Sequence, residues 1–314
     1  LEDEGSKVSV DLGSGATAIE DSDEVLVYVD ESNKAVYVYD GENELFNLKD
    51  GETAVVLSDA AGVFYPASEY EAGESVKFVM PSAIEASGDF GAINPMAGVI
   101  EGEVGSYTVT LCNLASVLRV EVTAGVNINS VTLDYGSEVN YASGAKFTVD
   151  ASAKTMTASD ASATTSETVT LGTSGTSADV LFLIPTVALS NGLSVTANLA
   201  DNHNGGASSF TVTNSSTAAR ARNKISTMEF YAGLFSGGAG TEASPYLISN
   251  ARDFKNLQKY TTDGYTPGSK TAAGFLGAHY QQTADITVGT MTPIGTEAAP
   301  FTGVYDGQSH TVNV

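Results

Sequence analysis

Three histidines, His203, His279 and His310, are the side chains best suited to metal or acid–base chemistry, yet no two stand four residues apart or beside a cysteine. Ligands held by one helix or hairpin need such spacing to converge on one ion. Each therefore reads as a surface or turn histidine. His203 stands in Asp201-Asn-His-Asn-Gly-Gly206, a turn sequence whose sharper alternative is an oxygen-ligand loop. Asp21-Ser-Asp-Glu24 and Asp40-Gly-Glu-Asn-Glu44 hold enough oxygens for calcium but lack the alternating spacing with a distal Glu that a calcium loop uses. Solvated turns are the plainer reading, and calcium is the only cofactor left open. No serine stands in Gly-x-Ser-x-Gly, and Cys112 lies in an apolar run where burial disfavours a thiolate. Gly233–Gly240 precedes no Lys-Ser or Lys-Thr pair, so it reads as a connector and not as a phosphate cradle. Tyr28, Tyr37 and Tyr39 form either a sugar-stacking patch or a half-buried strand face, and strand alternation favours the second. No catalytic, cofactor-binding or metal-binding residue is assigned, and no enzyme is expected.

The composition narrows the partners. With 38 Asp and Glu against 14 Lys and Arg, the formal net charge of -24 opposes nucleic acid and anionic membranes. The single cysteine excludes an intrachain disulfide within these residues. No run of about 18 apolar residues occurs, so no membrane-spanning helix is expected. The start at Leu1-Glu-Asp-Glu-Gly has no initiator Met and reads as a mature or trimmed product.

The elements that must position any site are strands. Gly 32, frequent Val, Ser and Thr, and no Trp point to short strands joined by turns, an all-β chain. From Lys7 to Val104 short apolar runs are separated by turn dipeptides such as Asp40-Gly41 and Asp50-Gly51. The clearest strand is Val117-Leu-Arg-Val-Glu-Val122, which should bury Leu118, Val120 and Val122 and expose Arg119 and Glu121. Leu181-Phe-Leu-Ile184 is apolar on both faces and predicts a central strand ended by Pro185. Ala151–Ala178 is rich in Ser and Thr and reads mostly as exposed hairpin or loop. After the glycine run one short helix is predicted, capped by Asn250 and Asp253, with Phe254 and Leu257 as its apolar pair. The division expected is therefore 1–104, 105–232, a linker at 233–243 and a tail at 244–314.

Two resemblances follow from motifs. The tail carries Tyr246-Leu-Ile-Ser249, Ala284-Asp-Ile286, Pro293-Ile-Gly295 and Phe301-Thr-Gly-Val-Tyr-Asp-Gly307, and it resembles the opening unit of a GLUG-type right-handed β-helix. Thr262–Ala278 lengthens the link in that pattern. The front carries Val63-Phe-Tyr-Pro66, Phe78-Val-Met-Pro81, Asn94-Pro-Met-Ala-Gly98 and Phe182-Leu-Ile-Pro185, and it resembles the fimbrillin superfamily of Bacteroidetes surface proteins. A histidine of the family pattern is absent near Leu111-Cys-Asn-Leu-Ala115. The resemblances imply two tandem transthyretin-like β-sandwich domains followed by a partial β-solenoid cap.

What they imply functionally is a non-enzymatic cell-surface adhesin or an accessory or tip fimbrillin-like protein, at the outer membrane as a lipid-anchored precursor or extracellular. Its partners would be other surface or fimbrial subunits, or a host or bacterial surface protein or glycan. The alternatives are a polymerising pilus shaft subunit and the non-catalytic front part of a larger surface enzyme that cleaves polysaccharide or protein. A solenoid coil cannot bury its apolar face alone, so the C-terminus reads as unfinished. Phe254, Leu257, Ile286, Ile294 and Phe301 are accordingly expected to seek cover from the second sandwich or from a neighbouring molecule.

Overall fold

A computed structural model of the chain describes residues 9–10, 17–57, 61–88, 93–104, 106–136, 141–158, 166–186, 188–189, 191–203, 207–262 and 271–314. The first strands are β1 (Ser9–Val10), β2 (Thr17–Ala18), β3 (Glu24–Asp30), β4 (Asn33–Asp40) and β5 (Leu45–Leu48). There follow β6 (Gly62–Tyr65), β7 (Tyr70–Ala72), β8 (Val76–Val79), β9 (Ile84–Glu85) and β10 (Met96–Glu103). The middle of the chain holds β11 (Ser106–Val109), β12 (Cys112–Asn113), β13 (Ala115–Asp134), β14 (Lys146–Asp150) and β15 (Thr155–Ala158). Next come β16 (Ser166–Pro185), β17 (Leu193–His203), β18 (Ala207–Asn214) and β19 (Ile225–Ala232). The tail holds β20 (Tyr246–Ile248), α1 (Ala251–Thr262), α2 (Ala272–Leu276), β21 (His279–Gln282), β22 (Ile286–Thr287), β23 (Val304–Asp306) and β24 (Val312–Asn313). The chain is all-β apart from the tail helices, and among the described residues no helix is long and apolar enough to cross a membrane.

One sheet runs β11-β10-β6-β3-β4-β5, with β12 also on β10. Its strands are apolar on both faces because successive side chains alternate. Val25 and Val27 of β3, Val63 and Tyr65 of β6 and Met96 of β10 build a core on one side. Leu26, Phe64 and Ala97, one residue out of phase, join the main core on the other. A second sheet runs β15-β14-β8-β7, and a third runs β18-β17-β13-β16-β9 with β19 parallel to β13.

Leu118, Val120 and Val122 of β13 are buried as expected, while Arg119 and Glu121 face outward and pair with each other at 2.9 Å. Leu181, Phe182, Leu183 and Ile184 of β16 are all buried, between β13 and β9. The Ser/Thr-rich stretch enters the ladder from Ser166, with Val169 and Leu171 buried; residues 159–165 of it lie outside the described set. Register shifts between Thr123 and Ile128 and between Ile128 and Ser130 interrupt the β13–β16 ladder. Such bulges bend a long strand pair.

Strand pairing crosses the expected division after residue 104. Val79 and Phe78 of β8 pair with Lys146 and Phe147 of β14, and β9 pairs with β16 through Ile84 and Leu181. One hydrophobic core accordingly holds Phe64 and Phe78 together with Leu118, Phe147 and Phe182.

The 233–243 stretch, expected as a linker, takes part in the tail's packing. Leu234 and Phe235 are buried inside the tail's own core, and the Phe235 ring stands 4.6 Å from Tyr246, 5.7 Å from Tyr260 and 5.7 Å from Tyr280. The glycines around them serve close approach. Gly238 has φ +79°, and a Cβ there would sit 1.7 Å from the Pro245 carbonyl oxygen; at Gly240, φ +77°, it would meet the Tyr246 ring at 2.2 Å. Glycine was required by contact and not by flexibility.

Candidate functional site

The tail carries two parallel ladders, β20-β21-β23 and β22-β24, and so winds past the single coil expected: β20, β21 and β23 lie in successive turns. Phe254, Leu257 and Ile286 are buried in its core, with Ile294 and Phe301 packed at the margin. Their cover comes from Leu234, Phe235 and the coil's own tyrosines, while Phe210 of β18 touches both this core and the main one.

Helix α1 is set as its sequence requires. Asn250 Oδ1 accepts from the Asp253 amide at 3.0 Å, and Asp253 Oδ2 reaches back to the Ser249 amide at 3.0 Å, one residue further than a standard capping box. Asp253 is fully buried and also accepts from Ser236 Oγ at 2.5 Å and Arg252 Nη2 at 2.7 Å. Arg252 then ties the coil to the sandwich: its guanidinium carbon lies 4.6 Å from the Tyr231 ring centroid, and Nη1 donates to the Tyr231 carbonyl at 3.2 Å. A cation over an aromatic face with a fixed backbone bond holds an orientation. Asn256 Nδ2 adds a bond to the Leu234 carbonyl at 3.0 Å.

At β20 the ladder edge is closed, since Ser236 donates to the Leu247 carbonyl at 3.2 Å and Leu247 donates to the Gly237 carbonyl at 2.9 Å. The last strands of the two ladders, β23 and β24, are rigidly backed. Tyr305 packs on Phe254 at 6.2 Å and donates to Gln282 Oε1 at 3.0 Å, and burial pushes its phenol up to about 12, so it stays a neutral donor. Gln282, itself buried, donates to the Ala284 and Thr311 carbonyls at 2.8 and 2.9 Å. Asp285 accepts from the Thr311 amide at 2.9 Å and faces His310 Nδ1 at 3.4 Å; the Thr311 bond is the chief reason its carboxyl lies below the usual range.

The residues singled out from sequence do not converge. His279 is in β21 opposite Val304, His310 pairs with Asp285, and His203 ends β17 opposite Ala207, with its side chain outside the described set. The Asp201–Gly206 loop falls partly outside that set. Cys112 is half-buried in β12 opposite Ala97. Asp21 accepts from the Gly41 amide at 3.0 Å, and Asp23 is fully buried, accepting from the Glu20 amide at 2.8 Å and Tyr65 Oη at 3.3 Å. Asp40 accepts from Glu42 and Asn43 amides at 3.0 and 3.1 Å, and the Asn43 side chain is the main cause of its lowered carboxyl. These acids close turns. The tyrosines divide between faces: Tyr28 leans on the main core and donates to the Gly73 carbonyl at 2.5 Å, while Tyr37 joins the opposite core and Tyr39 packs on Phe46 at 5.1 Å.

No family model matches the chain, and no curated protein matches it. Solved structures do overlap with it. One, a candidate cell adhesion protein from Bacteroides ovatus, is 11% identical with a TM-score of 0.47, covering 72% of this chain and 90% of that one. A second candidate cell adhesion protein, from Bacteroides uniformis, is 14% identical with a TM-score of 0.43 over 74% of this chain and 94% of that one. A fimbrial protein from Bacteroides ovatus is 12% identical with a TM-score of 0.33 over 72% of this chain and 49% of that one.

Proposed function

We propose that the chain is a non-enzymatic adhesion component of a cell surface, in an accessory or tip position, whose sandwich body presents the coil to a partner. What supports this is the way the coil is fixed to the body: the Arg252 guanidinium lies 4.6 Å from the Tyr231 ring centroid and donates to the Tyr231 carbonyl at 3.2 Å. A cell-surface or extracellular location belongs to the same proposal.

The test compares binding of the wild type and Arg252→Gln to surface-protein extracts and intact cells, with circular dichroism as the folding control. The substitution removes the cation over Tyr231 that orients the coil on the body. Binding should fall about threefold or more. Equal binding by the variant, or a hydrolytic activity in place of binding, overturns the proposal.

A further inference from the structure

The connection between β18 and β19 carries an unusual charge for this protein. Arg220, Arg222 and Lys224 stand within five residues, in a chain with 14 Lys and Arg against 38 Asp and Glu. Arg222 Nη1 donates to the Lys154 carbonyl at 2.9 Å, which ties the turn between β14 and β15 that carries Lys154 to this loop. The ion pairs of the described residues involve Lys49, Arg119, Lys146, Arg252 and His310, and none of these four. Acids outnumber bases heavily, yet this cluster is left uncompensated, with Arg222 and Lys224 exposed.

The cluster is also held in place. Asn223, at φ +57°, donates its amide to the Ala115 carbonyl at 3.0 Å and accepts from Asn113 Nδ2 at 2.6 Å. Asn113 accepts in turn from Asn94 Nδ2 at 2.9 Å, and both of these asparagines are buried. The Lys224 carbonyl accepts from the Val117 amide at 2.8 Å. Arg222 and Lys224 thus flank a pinned residue, and Arg220 Nη1 rests on Ser226 Oγ at 3.4 Å.

We propose that this loop, together with Lys154, is a binding site for a uronate-bearing polysaccharide. The loop's only apolar side chains are Ala218, Ala219 and Ala221, and an interface between proteins needs larger anchors at its centre. What it offers instead is cations at every second residue and exposed Thr213, Asn214, Ser215, Ser216 and Thr217 beside them. Planar guanidinium forks suit carboxylates. The net charge of -24 disfavours a dense polyanion such as nucleic acid, whose duplex carries a charge about every 1.7 Å. At physiological salt screening acts over about 8 Å, so a sugar chain with one carboxylate per residue meets the local cations more than the acids beyond that distance. The site lies on the connection between β18 and β19 and not on the coil, so its failure and that of the adhesion reading are read by different variants.

The experiment measures binding of the protein to immobilised polygalacturonate, with dextran as the neutral control. The wild type should bind polygalacturonate and not dextran, more weakly as salt rises. Arg220→Gln/Arg222→Gln/Lys224→Gln should lose about tenfold in affinity, the change expected for three exposed charge pairs. Should the triple variant fold poorly, Arg222→Gln alone should lose about two- to fivefold. Lys255→Gln, on the exposed side of α1, and Val304→Lys should bind as the wild type does. Equal binding by the triple variant overturns the proposal, as does equal binding to dextran or tighter binding to a DNA oligonucleotide. So does a self-associated species in sedimentation velocity that the triple variant abolishes, since the loop would then serve a second copy.

Discussion

Replacing Phe235 by alanine tests whether the glycine-rich stretch belongs to the coil. Its ring is 0% exposed and lies 4.6 to 6.3 Å from the rings of Tyr246, Tyr260, Phe275 and Tyr280. Truncating a core phenylalanine costs about 3–5 kcal/mol, the upper part applying where a cavity cannot collapse. Four aromatic neighbours that support one another leave little room for collapse. With about 1.4 kcal/mol per factor of ten, amide exchange in β20 and β21 should accelerate by roughly two to three and a half orders of magnitude. Exchange in β13 should change little, because Phe235 belongs to the tail core and not to the main one. Hydrogen exchange read by mass spectrometry on peptides covering 246–248, 279–282 and 117–122 separates the two. If β20 and β21 accelerate less than about fivefold, residues 233–243 are a tether and the packing argument fails.

Asp253→Asn should destabilise the tail by about 2–3 kcal/mol, since a fully buried carboxylate that caps α1 and meets Arg252 is replaced by a group that cannot accept all of its donors; urea unfolding followed at the tail tyrosines checks it. Gly240→Ala should act on the same transition with a loss of about 1–3 kcal/mol, from strain at φ +77° and contact with the Tyr246 ring, and an unchanged midpoint would contradict it. Glu167 concerns the sandwich and its response to pH. Burial first of all raises its carboxyl above the ordinary value, against bonds from Ala83 and Tyr135 that lower it. The folded state then binds the proton more tightly than the unfolded one, so stability from this group rises as pH falls from the raised value toward the ordinary carboxylate range. Glu167→Gln should flatten that part of the stability curve and stabilise at neutral pH, and a variant whose stability follows pH as the wild type's does refutes the assignment.

The features legible in the sequence are those set by local pattern. Alternation along Val117–Val122 gave the buried face of β13, the run Leu181–Ile184 gave a strand covered on both sides, and Asn250 with Asp253 marked the start of α1. Pairing between distant segments leaves no such trace. Nothing in the period of Val76–Val79 says that its partner is Lys146–Thr148, nearly seventy residues on, so a boundary drawn after residue 104 passes between bonded strands. Leu234 and Phe235 were hidden for a different reason. Glycines demanded by close backbone approach have the same composition as glycines in a tether, and the two large apolar residues among them were the signal that could have separated the cases. The cationic loop was visible as letters, but its lack of carboxylate partners and its asparagine support exist only in three dimensions.

The parallel pairing of β19 with β13 bears on how the molecule carries tension. Eight residues, Ile225–Ala232, lie in unbroken register with Val117–Ala124, and the coil hangs from the end of β19. A pull along the β19 axis would load all of those bonds together in shear instead of opening them one after another. The Arg252 and Asn256 contacts spread the same force onto Tyr231 and Leu234 before it reaches the ladder. A strand pair of this geometry is a mechanical anchor for the coil.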